Sequence, residues 1–320
     1  MSAWPIYRGS GEPHNGIANL PDPPNWRQFD GETGTHRRLG DREHQRTPTK
    51  DEIDIINAAL FLRRPLLITG KPGVGKSTVA YEVAEELGLG EVLRWPITSR
   101  TRLRDGLYHY DPIGRLREEK HRTAADSDQA DDIGRHIRLG PLGTALLPSD
   151  KPRVLLIDEI DKSDIDLPND LLNVFEEGEF EIDELARLPE NVTEVRVRTA
   201  DPEAALVPIH RGRVRCSAFP VIVLTSNGER EFPTPFLRRC LRFVLQPPDR
   251  TQLTEILTAQ LGSAASAAAD ELISNFLASR TTDEVTTDQL LNAVYLTTSA
   301  GTERPLDDIV QAVMKPLNQL

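Results

Sequence analysis

The sequence predicts an α/β fold, a parallel sheet sandwiched by helices, followed by a smaller α-helical domain. Three observations predict it. A short apolar run at 65–69, a glycine-rich loop at 70–78 and a helical pattern at 79–87 follow one another without a gap. Two later apolar runs, 154–157 and 219–224, are continuous rather than alternating and end in polar residues, as buried parallel strands do. From Asp249 onward the apolar spacing is helical throughout.

Taken in order, residues 1–48 are rich in breakers yet hold Trp4, Ile6, Tyr7, Ile17, Leu20, Trp26 and Phe29. A disordered tail is usually poor in aromatics, so an extended N-terminal arm packed on a core or on a neighbouring subunit is expected. Thr49 opens the first helix signal, Asp51 and Glu52 load its first turn, and Pro65 ends it. The loop Gly70-Lys71-Pro72-Gly73-Val74-Gly75-Lys76-Ser77-Thr78 matches G-x-x-x-x-G-K-[ST], the phosphate-binding P-loop. Glycines allow backbone N–H groups to turn inward around a phosphate, and the following helix adds its positive dipole end. In that motif Lys76 reaches the β- and γ-phosphates and the Ser77 hydroxyl binds Mg2+.

A strand is expected at 91–98. The segment 100–122 is locally basic, with Tyr108 and Tyr110 among its arginines, and 107–116 reads as a hairpin around Asp111-Pro112-Ile113-Gly114. It is either a solvated insertion or a loop facing a partner or pore. Residues 126–132 read as a short acidic linker, and 140–147 as a short helix stopped by Pro148. The run Val154-Leu155-Leu156-Ile157 ends in Asp158-Glu159, which downstream of a P-loop reads as the Walker B element. There Asp158 belongs to the Mg2+ shell and Glu159 polarises the attacking water. A helix follows to Gly178. Residues 195–198 and 211–215 suggest a hairpin with an arginine face. The strand at 219–225 ends in Ser226-Asn227, which puts an amide beside the Walker B acids if the two strands are neighbours. A short arginine-rich helix then runs into an edge strand over 235–245, and Pro247-Pro248 marks a domain boundary. Helices are expected at 253–261, 267–277, 287–295 and 306–313.

This ordered motif series, with its helical tail, resembles the AAA+ ATPases, and more narrowly their MoxR branch, over residues 49–320. The resemblance implies a five-stranded parallel sheet, a helical lid, ATP and Mg2+ as cofactors, hydrolysis to ADP and phosphate, and a ring, usually a hexamer, with ATP between subunits. Asn227 matches sensor 1, Arg304 matches sensor 2, and Arg238, Arg239 and Arg242 lie where the arginine finger is drawn from. The leader is similar to those on MoxR ATPases of bacterial conflict systems that are paired with von Willebrand A domain proteins. The implied organisation is an arm at 1–48, a nucleotide-binding domain at 49–247 and a lid at 248–320. The implied role is remodelling or switching of a protein partner. The alternative is a McrB-like motor subunit working with a DNA-processing partner.

Composition narrows these classes. A net charge of −12 argues against a broad nucleic-acid-binding surface. No apolar run approaches the ~18 residues of a membrane span. The N-terminus lacks a signal-peptide pattern, and only Cys216 and Cys240 occur, far apart and without metal-ligand spacing. A reducing cytoplasm is the expected location.

Overall fold

The computed structural model describes residues 6–7, 14–27, 39, 46–121, 133–279, 285–299 and 307–315. The chain divides into two compact units. One comprises 50–70 and 76–245, and the other 1–49, 71–75 and 246–320.

Eleven strands run along the described chain, all in the first of these units. They are β1 (Leu66–Thr69), β2 (Leu93–Pro96), β3 (Tyr108–Tyr110), β4 (Ile137–Leu139), β5 (Val154–Asp158), β6 (Glu179–Glu181), β7 (Glu194–Arg198), β8 (Leu206–His210), β9 (Arg213–Arg215), β10 (Val221–Ser226) and β11 (Leu241–Val244). Five form a parallel sheet in the order β11-β1-β10-β5-β2. Its three inner strands are buried along nearly their whole length, which explains their unbroken apolar sequences: helices cover both faces. The outer strands alternate instead. In β2, Leu93 and Trp95 are buried while Arg94 and Pro96 are exposed, and proline is tolerated because an edge strand has an unpaired side. Trp95 packs so closely on Gly106 that a Cβ there would lie 2.4 Å from the indole.

The topology positions the site. Strand β10 is late in sequence but central in space, between β1 and β5. The C-terminal tips of β1, β10 and β5 therefore stand side by side, in the crevice where open parallel sheets bind ligands. The core beneath them includes Leu67, Leu155, Ile157, Ile222 and Leu224.

The other six strands form a second sheet in the order β3-β4-β7-β8-β9-β6. Here two expectations are corrected. Residues 107–116 do not make a hairpin: β3 pairs antiparallel with the distant β4, and Pro112–His121 is helical. Proline at the first helical position and the Asp111 carboxylate, which accepts from Gly114 N at 2.8 Å, start a helix where a turn was expected. The arginine-bearing strands β7 and β9 are also not hairpin partners, because β8 lies between them.

The second unit is helical in its C-terminal part: Arg250–Leu261, Ser263–Ala268, Asp270–Ser279, Thr287–Ser299 and Asp307–Val313. Asp249 caps the first helix, its Oδ1 accepting from Gln252 N at 2.9 Å, while Asp249 N donates to Gln252 Oε1 at 3.1 Å. The expected single helix at 267–277 is two, broken at Ala269. Leu253, Leu257, Ile273, Phe276 and Leu290 form its core. Part of the N-terminal arm lies on this core. Trp26 packs against it and meets Tyr295 edge to face with centroids 6.2 Å apart. Asn25 Nδ2 donates to Gln260 O at 2.9 Å, and the Tyr295 hydroxyl donates to Asp22 O. Trp4 and Phe29, expected to anchor the arm, lie outside the described residues, as do 126–132. No helix among the described residues is long and apolar enough to cross a membrane.

Candidate functional site

The site is built from strand ends. After β1 the backbone takes positive φ at Gly70 (157°), Gly73 (74°) and Gly75 (93°), conformations that favour glycine. Helix Thr78–Glu86 then begins, with Ser77 at its N-cap. Lys76 is turned back over the loop. Its Nζ donates to Gly70 O at 2.8 Å and to Asn227 Oδ1 at 2.7 Å. The residue is only 8% exposed. Burial lowers its pKa, and the nearby charges of Asp161, Glu159 and Asp158 work against that shift. A partly desolvated ammonium suits a polyphosphate as its countercharge, whereas the three carboxylates would oppose that anion unless a divalent cation accompanied it.

Asp158 closes β5. Its Oδ1 accepts from the Ser77 hydroxyl at 2.6 Å and the Thr225 hydroxyl at 2.9 Å. Its Oδ2 accepts from Arg94 Nε at 3.1 Å and Nη2 at 2.6 Å. Burial works to raise its pKa, but the bonds from Ser77, Arg94 and Thr225 outweigh it and hold the carboxyl below its ordinary value. The metal expectation, Ser77 with Asp158, is thus a hydroxyl and a carboxylate already in contact. Hard oxygens of this kind fit Mg2+, which keeps waters and takes further ligands from phosphates. Among the described residues no larger cluster of His, Cys, Asp or Glu suited to a metal occurs.

Glu159 sits in the left-handed region (φ 62°, ψ 50°), unusual for a non-glycine residue. Its N–H donates to the Thr225 hydroxyl at 2.9 Å, and its Oε2 pairs with Lys162 Nζ at 2.8 Å. Asn227 is fixed by its own backbone, whose N–H donates to Asp161 Oδ2 at 2.8 Å. The same oxygen accepts from Glu229 N at 3.2 Å, while buried Asp161 Oδ1 has no hydrogen-bond partner.

The predicted residues Lys76, Ser77, Asp158, Glu159 and Asn227 therefore converge on three neighbouring strand tips. Three contributors went unread in the sequence: Arg94, Thr225 and Asp161. Thr225 and Asp161 carry a faint signal, as polar residues at or beside the tips of apolar strands. Arg94 carries none, since an exposed arginine on an edge strand is ordinary. Of the arginines, exposed Arg239 donates Nε to Glu176 Oε1 at 2.6 Å. Arg238 is exposed, and its carbonyl accepts from Arg64. Arg242 is exposed on edge strand β11. Arg304 lies outside the described residues.

A parallel sheet with a P-loop at the tip of one strand and a paired acid at the tip of another defines a P-loop nucleotide-binding protein. Residues 65–239, more than half the chain, match the AAA domain (dynein-related subfamily), and the chain belongs to this family. Membership makes it an AAA+ ATPase by class, and such domains commonly assemble as rings. No curated protein matches the chain.

Proposed function

We propose that the chain binds ATP with Mg2+, hydrolyses it to ADP and phosphate, and uses the cycle to remodel or switch a protein partner. The observation that carries this reading is the convergence of three strand tips: Lys76 reaches Asn227 from the loop after β1 while Ser77 reaches Asp158 at the end of β5. Lys76 and the backbone of Gly70–Thr78 hold the phosphates. Ser77 and Asp158 hold the metal, which when bound neutralises charge on the phosphate oxygens. Glu159 takes the proton of the attacking water, which requires its carboxylate to leave Lys162. Asn227 orients that water.

A cation on the far side of the γ-phosphate comes from a neighbouring subunit of a ring, a hexamer in this reading. Arg238 is the better candidate than Arg239, because Arg239 is tied to Glu176 within its own chain. Arg304 keeps its sensor 2 role by resemblance alone. The MoxR branch is supported by the motif series, a von Willebrand A domain partner and a conflict-system setting by the leader, and a cytoplasmic location by the presence of only two cysteines, far apart in the sequence.

The test separates binding from chemistry. Lys76→Ala should abolish nucleotide binding, because it removes the countercharge. Glu159→Gln should keep binding and lower turnover by about 10²–10⁴, the usual worth of a general base. Calorimetry and phosphate release read the two. Normal turnover in Glu159→Gln would sink the assignment.

A further inference from the structure

The second sheet presents an exposed face whose charge is unevenly distributed. Residues paired in register share a face, so His109 (β3), Arg138 (β4) and Arg198 (β7) form one row across three strands. Arg196 lies two residues from Arg198 on the same face of β7. All four side chains are exposed. His109, Arg138 and Arg198 also line a cleft of about 300 Å³ together with Tyr110, Asp111, Arg135 and His136. His136 is nearly buried, with its side chain 7% exposed. Its Nε2 has no hydrogen-bond partner and lies 3.4 Å from Glu118 Oε2. Arg138 donates Nε to Thr199 O at 3.3 Å, a backbone bond that leaves its charge unneutralised.

The start of β7 and the β8, β9 and β6 side of the same face are different. Glu194 stands opposite His210, Glu181 opposite Arg213 and Glu179 opposite Arg215. Arg213 is already paired with Glu179 at 2.5 Å, and Arg215 lies 3.7 Å from the same carboxylate. Among the described residues of this face, the uncompensated positive charge thus lies on β3, β4 and the Arg196–Arg198 end of β7. At a strand spacing of about 4.8 Å this row is about 10 Å wide.

We propose that this strip, on a chain that otherwise carries an excess of acids, binds a short acidic segment of a protein. The inference rests on the reading that the chain remodels a protein partner, and it names the chemistry of that partner's contact. Two observations favour a short acidic peptide over a nucleic acid. Glu194, on β7 itself and two residues from Arg196, bounds the strip at one end of that strand, so a long polyanion running along β7 meets like charge there. The whole chain carries −12, and that field repels a uniformly charged strand more than a segment small enough to feel only its nearest neighbours. Arginine forks take carboxylates two oxygens at a time, which suits Asp and Glu side chains.

The test uses the full chain and a short, labelled poly-Glu peptide read by fluorescence anisotropy. The wild type should bind, and more weakly as salt rises. Arg138→Glu with Arg198→Glu should weaken binding by about tenfold or more, because reversal places like charge in the row. Arg213→Ala, at the compensated end, should change it by less than about twofold. Thermal melting and ATP binding should be unaltered in all three proteins, which separates a lost site from a lost fold. The proposal is overturned if the wild type fails to bind, if the double reversal binds equally well, or if oligothymidylate of matched charge binds more tightly than the peptide. ATP turnover is measured in parallel. Charge-dependent peptide binding without turnover would refute the remodelling reading and leave the acidic-segment site standing.

Discussion

At Asp158 a single carboxylate receives four donated hydrogen bonds from three side chains, two of them from one arginine. Arg94 places a cation on the oxygen that is not engaged by Ser77 or Thr225. A Mg2+ ion held through that carboxylate must share it with this guanidinium or displace it. Arg94 is 42% exposed, so water screens the pair and its worth is small. Arg94→Ala should therefore lower the Mg2+ concentration needed for half-maximal binding of an ATP analogue, by about two- to fivefold. A Mg2+ titration checks it, and an unchanged or higher midpoint would contradict the competition.

Cys240 offers a second measurement at this scale. Burial pushes its thiol pKa up to about 12, against a smaller opposing effect of Arg64. The folded state thus holds the proton between the ordinary value of 9.0 and about 12 while the unfolded state releases it. Stability from this group is complete below pH 9 and is lost as pH rises through that window. Iodoacetamide at mildly alkaline pH should label Cys216, which is half-buried, before Cys240. Equal labelling rates in the native protein would show that Cys240 is accessible.

Among the elements, the arm segment at 14–27 is anchored on the helical core by Asp22, Asn25 and Trp26, and Trp26 is the largest of these residues. Its ring contributes apolar burial and an edge-to-face contact with Tyr295. Trp26→Ala should destabilise the chain by about 1–3 kcal/mol, less than the 3–5 kcal/mol typical of a fully buried tryptophan, because the residue is only half-buried. Limited proteolysis should then cut within 14–27 faster than in the wild type. Unchanged cleavage and an unchanged denaturation midpoint would show that the docked segment contributes nothing. The short helix Pro141–Ala145 is the opposite case, locked by shape. A Cβ on Gly143 would stand 2.0 Å from Leu107 O, so the close approach of two backbone segments permits only glycine there.

For the whole molecule, the question is whether one chain finishes its own site. Neither Arg238 nor Arg239 contacts the Lys76–Asp158–Glu159–Asn227 cluster of its own chain in any described hydrogen bond or ion pair. Lys76→Ala mixed with Arg238→Ala should regain part of the activity that each lacks alone, because one mixed interface pairs an intact loop with an intact finger. A finger of this kind is worth about 10³–10⁵ in rate in other P-loop enzymes, so the rescue should stand well clear of background. Turnover independent of protein concentration, with no rescue on mixing, would place the missing cation within the chain.

The sequence by itself determined the α/β class and the local chemistry of the site. Glycine positions, the lysine and serine of the loop, and acids at the end of an apolar strand are all local patterns, and backbone geometry follows from them over a few residues. It could not determine what depends on strands far apart in the chain. That β10 inserts between β1 and β5, carrying Asn227 to Lys76 across 151 residues of sequence, is decided by packing of the sheet. The same holds for Arg94, whose role appears only once β2 lies beside β5. The mistaken hairpin at 107–116 has the same origin: β3 found its partner at β4, because a strand's partner is chosen by the face it must bury and not by nearness along the chain.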